Sequence, residues 1–309
     1  MRSIDINLVV LLLIFFVTQL PCEVRGENWD DCERQFSFAE DLFNEADYFR
    51  AISEYKRLIF LCPGSKQLCE RAYFKIGLSY FRANQWRGAR EAFGTFLITF
   101  PDSLMKPAAL YLRGMSEKHL SLDGEALATF ARLMETAGGE YQEKATYQSA
   151  LIFVDREEWD RAGEMFSRIP AESTLFDSAR VFSAGLEQID SLPHKSPPVA
   201  GTLAAVLPGA GHLYTERPKD ALVAFLLNGF FIWSAIELFE DDKHVTGGIV
   251  AFFELGWYTG NIYSAISSAH KFNKRTQDDF IKGLKNRVTV SYLHTGDTRC
   301  DGIMLSMHF

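Results

Sequence analysis

The chain has 309 residues, room for two domains, with a formal net charge of -8 and a pI near 5.5. That acidic balance argues against a nucleic-acid partner, which calls for a basic footprint. The mean hydropathy of -0.06 averages two unlike stretches: 30–190 is charged with periodic apolar positions, whereas 199–268 is mostly apolar.

Residues 1–26 read as a signal peptide. "MRSIDIN" carries Arg2, and "LVVLLLIFFVTQL" is an apolar core of 13 residues, short for a bilayer span. Val24 and Gly26 fit a cleavage after Gly26, with an uncleaved anchor helix as the alternative. Pro21 disfavours lipidation of Cys22, because a lipobox has a small residue there. Export would leave Cys32, Cys62, Cys69 and Cys300 in an oxidising compartment. Cys62 and Cys69 flank the turn "CPGSKQLC" and are the candidate disulfide; two separate thiols are the alternative.

From 30 to 189 a pattern recurs. "DYFRAISEYKRLIFLCP" presents Ala51, Tyr55, Leu58 and Pro63, and "NQWRGAREAFGTFLITFP" presents Ala89, Phe93, Phe96 and Pro101. Ala126, Phe130 and Leu133 repeat the offsets, as do Ala162, Phe166 and Ile169. The alanines are spaced by 38, 37 and 36 residues, which predicts a stacked helical array. Twelve residues before each lies a small residue, namely Ala39, Gly77, Gly114 and Ala150; Tyr80 follows the second. Small residues let two helices approach, and aromatics fill the space beside them. "STLFDSARVFSAGLEQI", 173–189, reads as a closing helix with Ser173 and Thr174 as candidate caps.

This pattern resembles the tetratricopeptide repeat family over about 30–170. The second copy matches best, with Tyr73, Ile76, Gly77, Tyr80, Ala89, Phe93 and Pro101. Glu117 departs from it where an aromatic is usual, and Gly138 stands in place of Pro. The exported, longer-period form is similar to tetratricopeptide scaffolds of Gram-negative envelopes. The resemblance implies a protein or peptide client bound along a concave face.

"DSLPHKSPPVAG", 190–201, reads as a stiff proline-rich linker. Residues 202–270 read as a membrane hairpin domain, with spans at 220–239 and 245–269 joined by "EDDKH". Before the first span, "PGAGHLY" places Pro208, Gly209, Gly211 and Tyr214 at an interfacial turn, and it resembles the opening of small bacterial hairpin membrane domains. In the second span Gly256, Gly260, Ser264 and Ser268 form a small-residue stripe, open to the first span or to a second copy of the chain. Glu254 within that span reads as a neutral side chain hydrogen-bonded inside the hairpin, with Asn228 as a candidate partner; an ion site is the alternative. The basic segment from 271 leans towards the cytoplasm, against the leader, and the leader takes precedence for placing the repeats. Within the tail 271–309, alternation at Val288–Tyr292 and Ile303–Phe309 predicts a β-hairpin.

The seven histidines are scattered, with no HExxH, no CxxC and no nucleophile elbow. No enzyme activity, metal or cofactor is expected. The expected fold is all-α: a tetratricopeptide-like solenoid, then an antiparallel two-helix transmembrane hairpin and a short C-terminal β-hairpin. The expected role is a membrane-tethered envelope scaffold for protein partners, surrounded by lipid, with the repeats in the periplasm. Two rivals are an assembly or insertion factor whose hairpin contacts clients, and an oligomeric ion or solute pathway around Glu254.

Overall fold

The computed structural model describes residues 29–294, and every regular element among them is helical. The leader and the second strand of the expected β-hairpin lie outside the described residues. The chain divides into two compact units, one ending at Glu158 and one beginning at Trp159. The division falls inside the fourth copy of the repeat.

The first unit holds α1 (Trp29–Asn44), α2 (Tyr48–Leu61), α3 (Lys66–Arg82), α4 (Trp86–Thr99), α5 (Lys106–His119), α6 (Asp123–Thr136) and α7 (Glu140–Asp155). Odd and even helices alternate as the two halves of each hairpin. The first half of each hairpin ends in the same way. Ala46, Asn84, Ser121 and Glu157 take φ values of 62°, 55°, 58° and 60°. The next residue donates its N–H back across the turn: Asp47 to Leu42, Gln85 to Tyr80, Leu122 to Glu117 and Glu158 to Phe153, each at 2.9 Å. This is the Schellman cap, which satisfies carbonyls that the helix leaves open. Each cap lies five residues before a repeat alanine, so the turn recurs in register with the packing residues. None of the four is glycine, and the left-handed conformation costs each about 1 kcal/mol.

A disulfide joins Cys32 to Cys62. This corrects the candidate pairing of Cys62 with Cys69. In an antiparallel hairpin the first turn of α1 lies beside the end of α2, so Cys32 and Cys62 meet with their Cα atoms 6.2 Å apart. Cys69 is buried in α3 and donates its thiol to the Cys62 carbonyl at 3.3 Å.

The second unit holds α8 (Trp159–Ser167), α9 (Phe176–Leu186), a 3-10 turn at Ile189–Ser191, α10 (Pro197–Val206), α11 (Ala210–Tyr214), α12 (Pro218–Glu240) and α13 (His244–His294). The expected closing helix is α9, and Phe182 on it stacks on Phe166 of α8 with ring centroids 5.0 Å apart. Ser173 accepts from the Leu175 N–H at 3.1 Å, ahead of that helix. Pro197 and Pro198 open α10, where a missing N–H costs nothing, and do not prolong the linker. Helices α12 and α13 pack side by side.

Two expectations about this unit are corrected. Among the described residues, only α12 is long and apolar enough to cross a membrane by length and composition. Gly256, Thr259, Gly260, Asn261, Ser264, Ser267 and Ser268 dilute the apolar character of α13. The first expected β-strand is also absent, because α13 runs on as one helix of 51 residues through His294. Ile281, Leu284 and Val288 are buried at helical spacing, a period that overrides the short alternation.

Candidate interaction surface

The repeat positions interlock pairwise. Ala51, Ala89, Ala126, Ala150 and Ala162 are fully buried, as are Tyr55, Phe93 and Phe130; Phe166 is nearly so. A Cβ added to Gly77 would stand 2.7 Å from the Phe93 ring, and one added to Gly114 would stand 2.5 Å from Phe130. Phe93 and Phe130 therefore occupy the room that a missing side chain leaves on the preceding odd helix. Tyr80 is half-buried and lies over Gly88 at the start of the next helix.

Helix α1 also touches α3, α3 touches α5, and α5 touches α7. The odd helices therefore form the inner layer of this unit, and polar groups tie the layer together. Lys75 pairs with Glu40 at 2.7 Å, and the Tyr55 hydroxyl donates to the same carboxylate. Lys118 donates to Gln148 at 3.0 Å. Glu117, at the position where an aromatic is usual, is fully buried. It accepts from Arg113 at 2.9 Å and from Thr129 at 2.6 Å, and Arg90 of the preceding repeat lies 3.5 Å away. The ion cluster thus replaces apolar filling between successive hairpins. Glu117→Ala is expected to lower unfolding stability by about 2 kcal/mol, measured by urea melts. The loss stays moderate because Arg90 and Arg113 are about one-third exposed and can reach water.

Burial first, then the hydrogen bond to Glu40 and its charge, push the Tyr55 phenol far above its ordinary pKa of 10.0. A raised folded pKa contributes stability that is complete below the unfolded value and is lost as pH rises past it. Stability should therefore hold to about pH 10 and then fall by about 1.4 kcal/mol per pH unit. Urea midpoints measured against pH should show a shallower alkaline slope for Tyr55→Phe.

A groove of about 450 Å³ opens in this unit between the start of α3 and the turn into α5. Lys66, Glu70 and Arg71 line one side, and Phe100, Pro101 and Leu104 the other. Leu104 is 98% exposed, a large apolar side chain offered to solvent beside a wall of mixed charge. On the outer helices, Phe60 and Ile98 stand nine residues after their repeat alanines, and each is 83% exposed. The sequence pattern of core positions did not reveal these residues; the signal was the same offset carrying an apolar residue beyond the core stripe.

In the second unit, Gly209 has φ of +89°, and a Cβ there would meet the Ala221 carbonyl at 2.2 Å. Gly211 sits equally close to the Ala200 carbonyl. Pro208 precedes this turn, and the Tyr214 hydroxyl accepts from the Ser196 N–H at 3.1 Å. The turn thus clamps α10, α11 and the start of α12. Ser268 is buried, accepts from Arg217 at 2.9 Å and donates to the Ser264 carbonyl at 2.8 Å. Gly256 and Gly260 face open space and do not pack on α12, while Ser264 is exposed. Glu254 and Asn228 are buried but do not pair: the Asn228 amide donates to Ala224, and neither Glu254 oxygen has a partner. His212 of α11 is also buried, and burial holds its imidazole below the ordinary histidine range, more than Asp220 raises it. Among the described residues, no three acidic, histidine or cysteine side chains gather as metal ligands.

Residues 71–103, which span most of α3, all of α4 and the turn after it, match the family model of the tetratricopeptide repeat. The chain therefore carries a tetratricopeptide repeat, and the hairpins stacked around it make the first unit a tetratricopeptide-like solenoid. Among solved structures, a crystal structure of a tetratricopeptide repeat protein from Parabacteroides merdae is 15% identical, over 83% of this chain and 99% of that one, with a TM-score of 0.45. No curated protein matches the chain.

Proposed function

We propose that this chain is a non-catalytic scaffold, fixed to a membrane of the bacterial cell envelope, whose repeat array binds a protein or peptide client. The observation that carries the reading is the tetratricopeptide repeat at 71–103 within a stack of similar hairpins. Repeats of this kind are scaffolds for protein–protein interaction, and stacking gives the extended surface they use. The groove beside Leu104, with apolar and mixed-charge walls, offers a site for an extended peptide segment with an apolar anchor.

Membrane attachment draws support from α12, of which only 17% of the most apolar window is buried. Phe225, Phe230 and Trp233 on α12 are at least half exposed, as are Phe252, Phe253 and Trp257 on α13. Such a surface suits lipid. The Cys32–Cys62 disulfide supports an oxidising compartment, in keeping with export of the repeats. Tethering raises the effective concentration of the array near membrane-bound clients.

A photo-crosslinking residue in place of Leu104, with the chain at natural abundance in living cells, tests the client reading. One discrete adduct from Leu104, and none from the exposed position Glu172, is the expected outcome. Absence of any discrete adduct from Leu104 or from Phe60 would end it. A second reading, a factor whose apolar helices contact client spans, is favoured by the open space at Gly256 and Gly260. It predicts loss of function when both become Leu while the repeats stay folded; a repeat array that works on an unrelated anchor would sink it.

A further inference from the structure

We propose that α13, where its apolar half ends, presents a docking face for the headgroups of anionic phospholipids, carried by Lys271, Arg275 and Lys282. The proposal rests on the membrane reading of this unit, because it needs a bilayer surface at that level of the helix.

Three observations mark that level. Among the described residues of α13, the exposed large apolar side chains end at Tyr263. Helix α12 begins beside the same part of α13, since Arg217, next to its first residue Pro218, donates to Ser268 at 2.9 Å. Just beyond, the Lys195 ammonium lies 5.2 Å from the ring centres of both Tyr214 and Phe272. Tyrosine and lysine beside an apolar stretch suit the headgroup layer, where a ring stays partly apolar and a charge stays wet. From Tyr263 to Lys271, about two turns of helix, the surface of α13 thus passes from apolar to charged.

Lys271, Arg275 and Lys282 are exposed, and spacings of four and seven residues keep them on one helix face. The same spacing, run backwards, reaches Ser264, Trp257 and Phe253, the last two on the wall of a groove of about 620 Å³ between α12 and α13. One face is therefore apolar along its first half and cationic along its second. Ile281, Leu284 and Val288 turn the other way and are buried. None of the three cations forms an ion pair among the described residues, and Asp278 lies 3.9 Å from Lys274 instead. Between 270 and 288 stand six cations and two carboxylates, in a chain of net charge -8, so the surplus is local. The stripe is about 16 Å long, close to the depth of a headgroup layer plus one Debye length, over which an anionic surface attracts cations. An acidic protein would satisfy the charge, but only a bilayer also accounts for the apolar half of the same face.

The test uses the full chain reconstituted in phosphatidylcholine vesicles with a trace of spin-labelled phosphatidylglycerol or, separately, spin-labelled phosphatidylcholine. The spin-resonance spectrum separates lipid held at the protein from bulk lipid. At low salt the anionic probe should associate about ten-fold more strongly than the zwitterionic one. The preference should fall towards parity in about 1 M salt. Lys271→Gln, Arg275→Gln and Lys282→Gln together should abolish it. Lys56→Gln, Arg87→Gln and Arg132→Gln, which remove the same charge from exposed positions of the first unit, should leave it intact. Parity of the two probes on the unaltered chain overturns the proposal, whatever the variants do. A preference that survives the three changes on α13 overturns it likewise and leaves the stripe to an acidic protein surface. Flotation is scored separately: a chain that does not float with phosphatidylcholine vesicles removes the membrane reading and the proposal with it, whereas parity on a chain that floats strikes the proposal alone.

Discussion

Phe130→Ala is expected to destabilise the repeat array by about 3–5 kcal/mol, the usual cost of emptying a fully buried phenylalanine site. Phe130 fills the room opposite Gly114 and lies beside Tyr111, with ring centroids 6.2 Å apart. Removing the ring leaves a cavity between the two helices of one hairpin, and neighbours held by their own repeats close it only in part. The complementary change identifies the mechanism. Gly114→Ala puts a methyl group 2.5 Å from the ring and should cost about 1–3 kcal/mol in the unaltered chain. In the Phe130→Ala background the same methyl enters the cavity and should cost little or nothing. A double-mutant cycle by urea denaturation reads this coupling directly. Additive effects would mean that the two positions do not share one space.

Loss of the Cys32–Cys62 disulfide is the other large effect expected. The bond closes a loop with a sequence separation of 30 residues, and loop closure of that length is worth about 3–4 kcal/mol. It acts on the first hairpin, whose outer side has no preceding repeat in the described residues to cover it. Cys32→Ser should therefore lower the thermal midpoint, and a reducing agent should lower that of the unaltered chain by the same amount. Cys69→Ser serves as the control: its hydroxyl keeps a donor for the Cys62 carbonyl, so the midpoint should shift little under oxidising conditions. A greater loss from Cys69→Ser than from Cys32→Ser would indicate that Cys62 pairs with Cys69 in solution.

Much of the array was legible because each repeat writes the same physical demand several times. Ala51, Ala89, Ala126 and Ala162 recur at nearly fixed spacing, and all are fully buried. The Schellman turns were not legible, since Ala46, Ser121 and Glu157 are poor predictors of a left-handed residue; only Asn84 carries that signal. The disulfide was misread because closeness in sequence stood in for closeness in space. Counting back along an antiparallel pair from Cys62 leads to the first turn of α1 and hence to Cys32. The strand at 288–293 was misread because a few alternating residues fit two periods, and the buried Ile281, Leu284 and Val288 upstream decide for the helix. The candidate groove in the second unit was visible only in fragments. The glycine stripe and Asn228 stood out in the sequence, whereas Asn261 and His212 join them along one groove only through the fold.

The measurement that tests the membrane-tethered scaffold most directly is protease accessibility of the full chain in intact cells, in cells with the outer membrane opened, and in broken cells. The account predicts that the repeat array is digested once the outer membrane is opened, while a fragment containing α12 and α13 stays with the membrane pellet. Protection of the array until the inner membrane is broken, or release of that fragment into the soluble fraction, would contradict it.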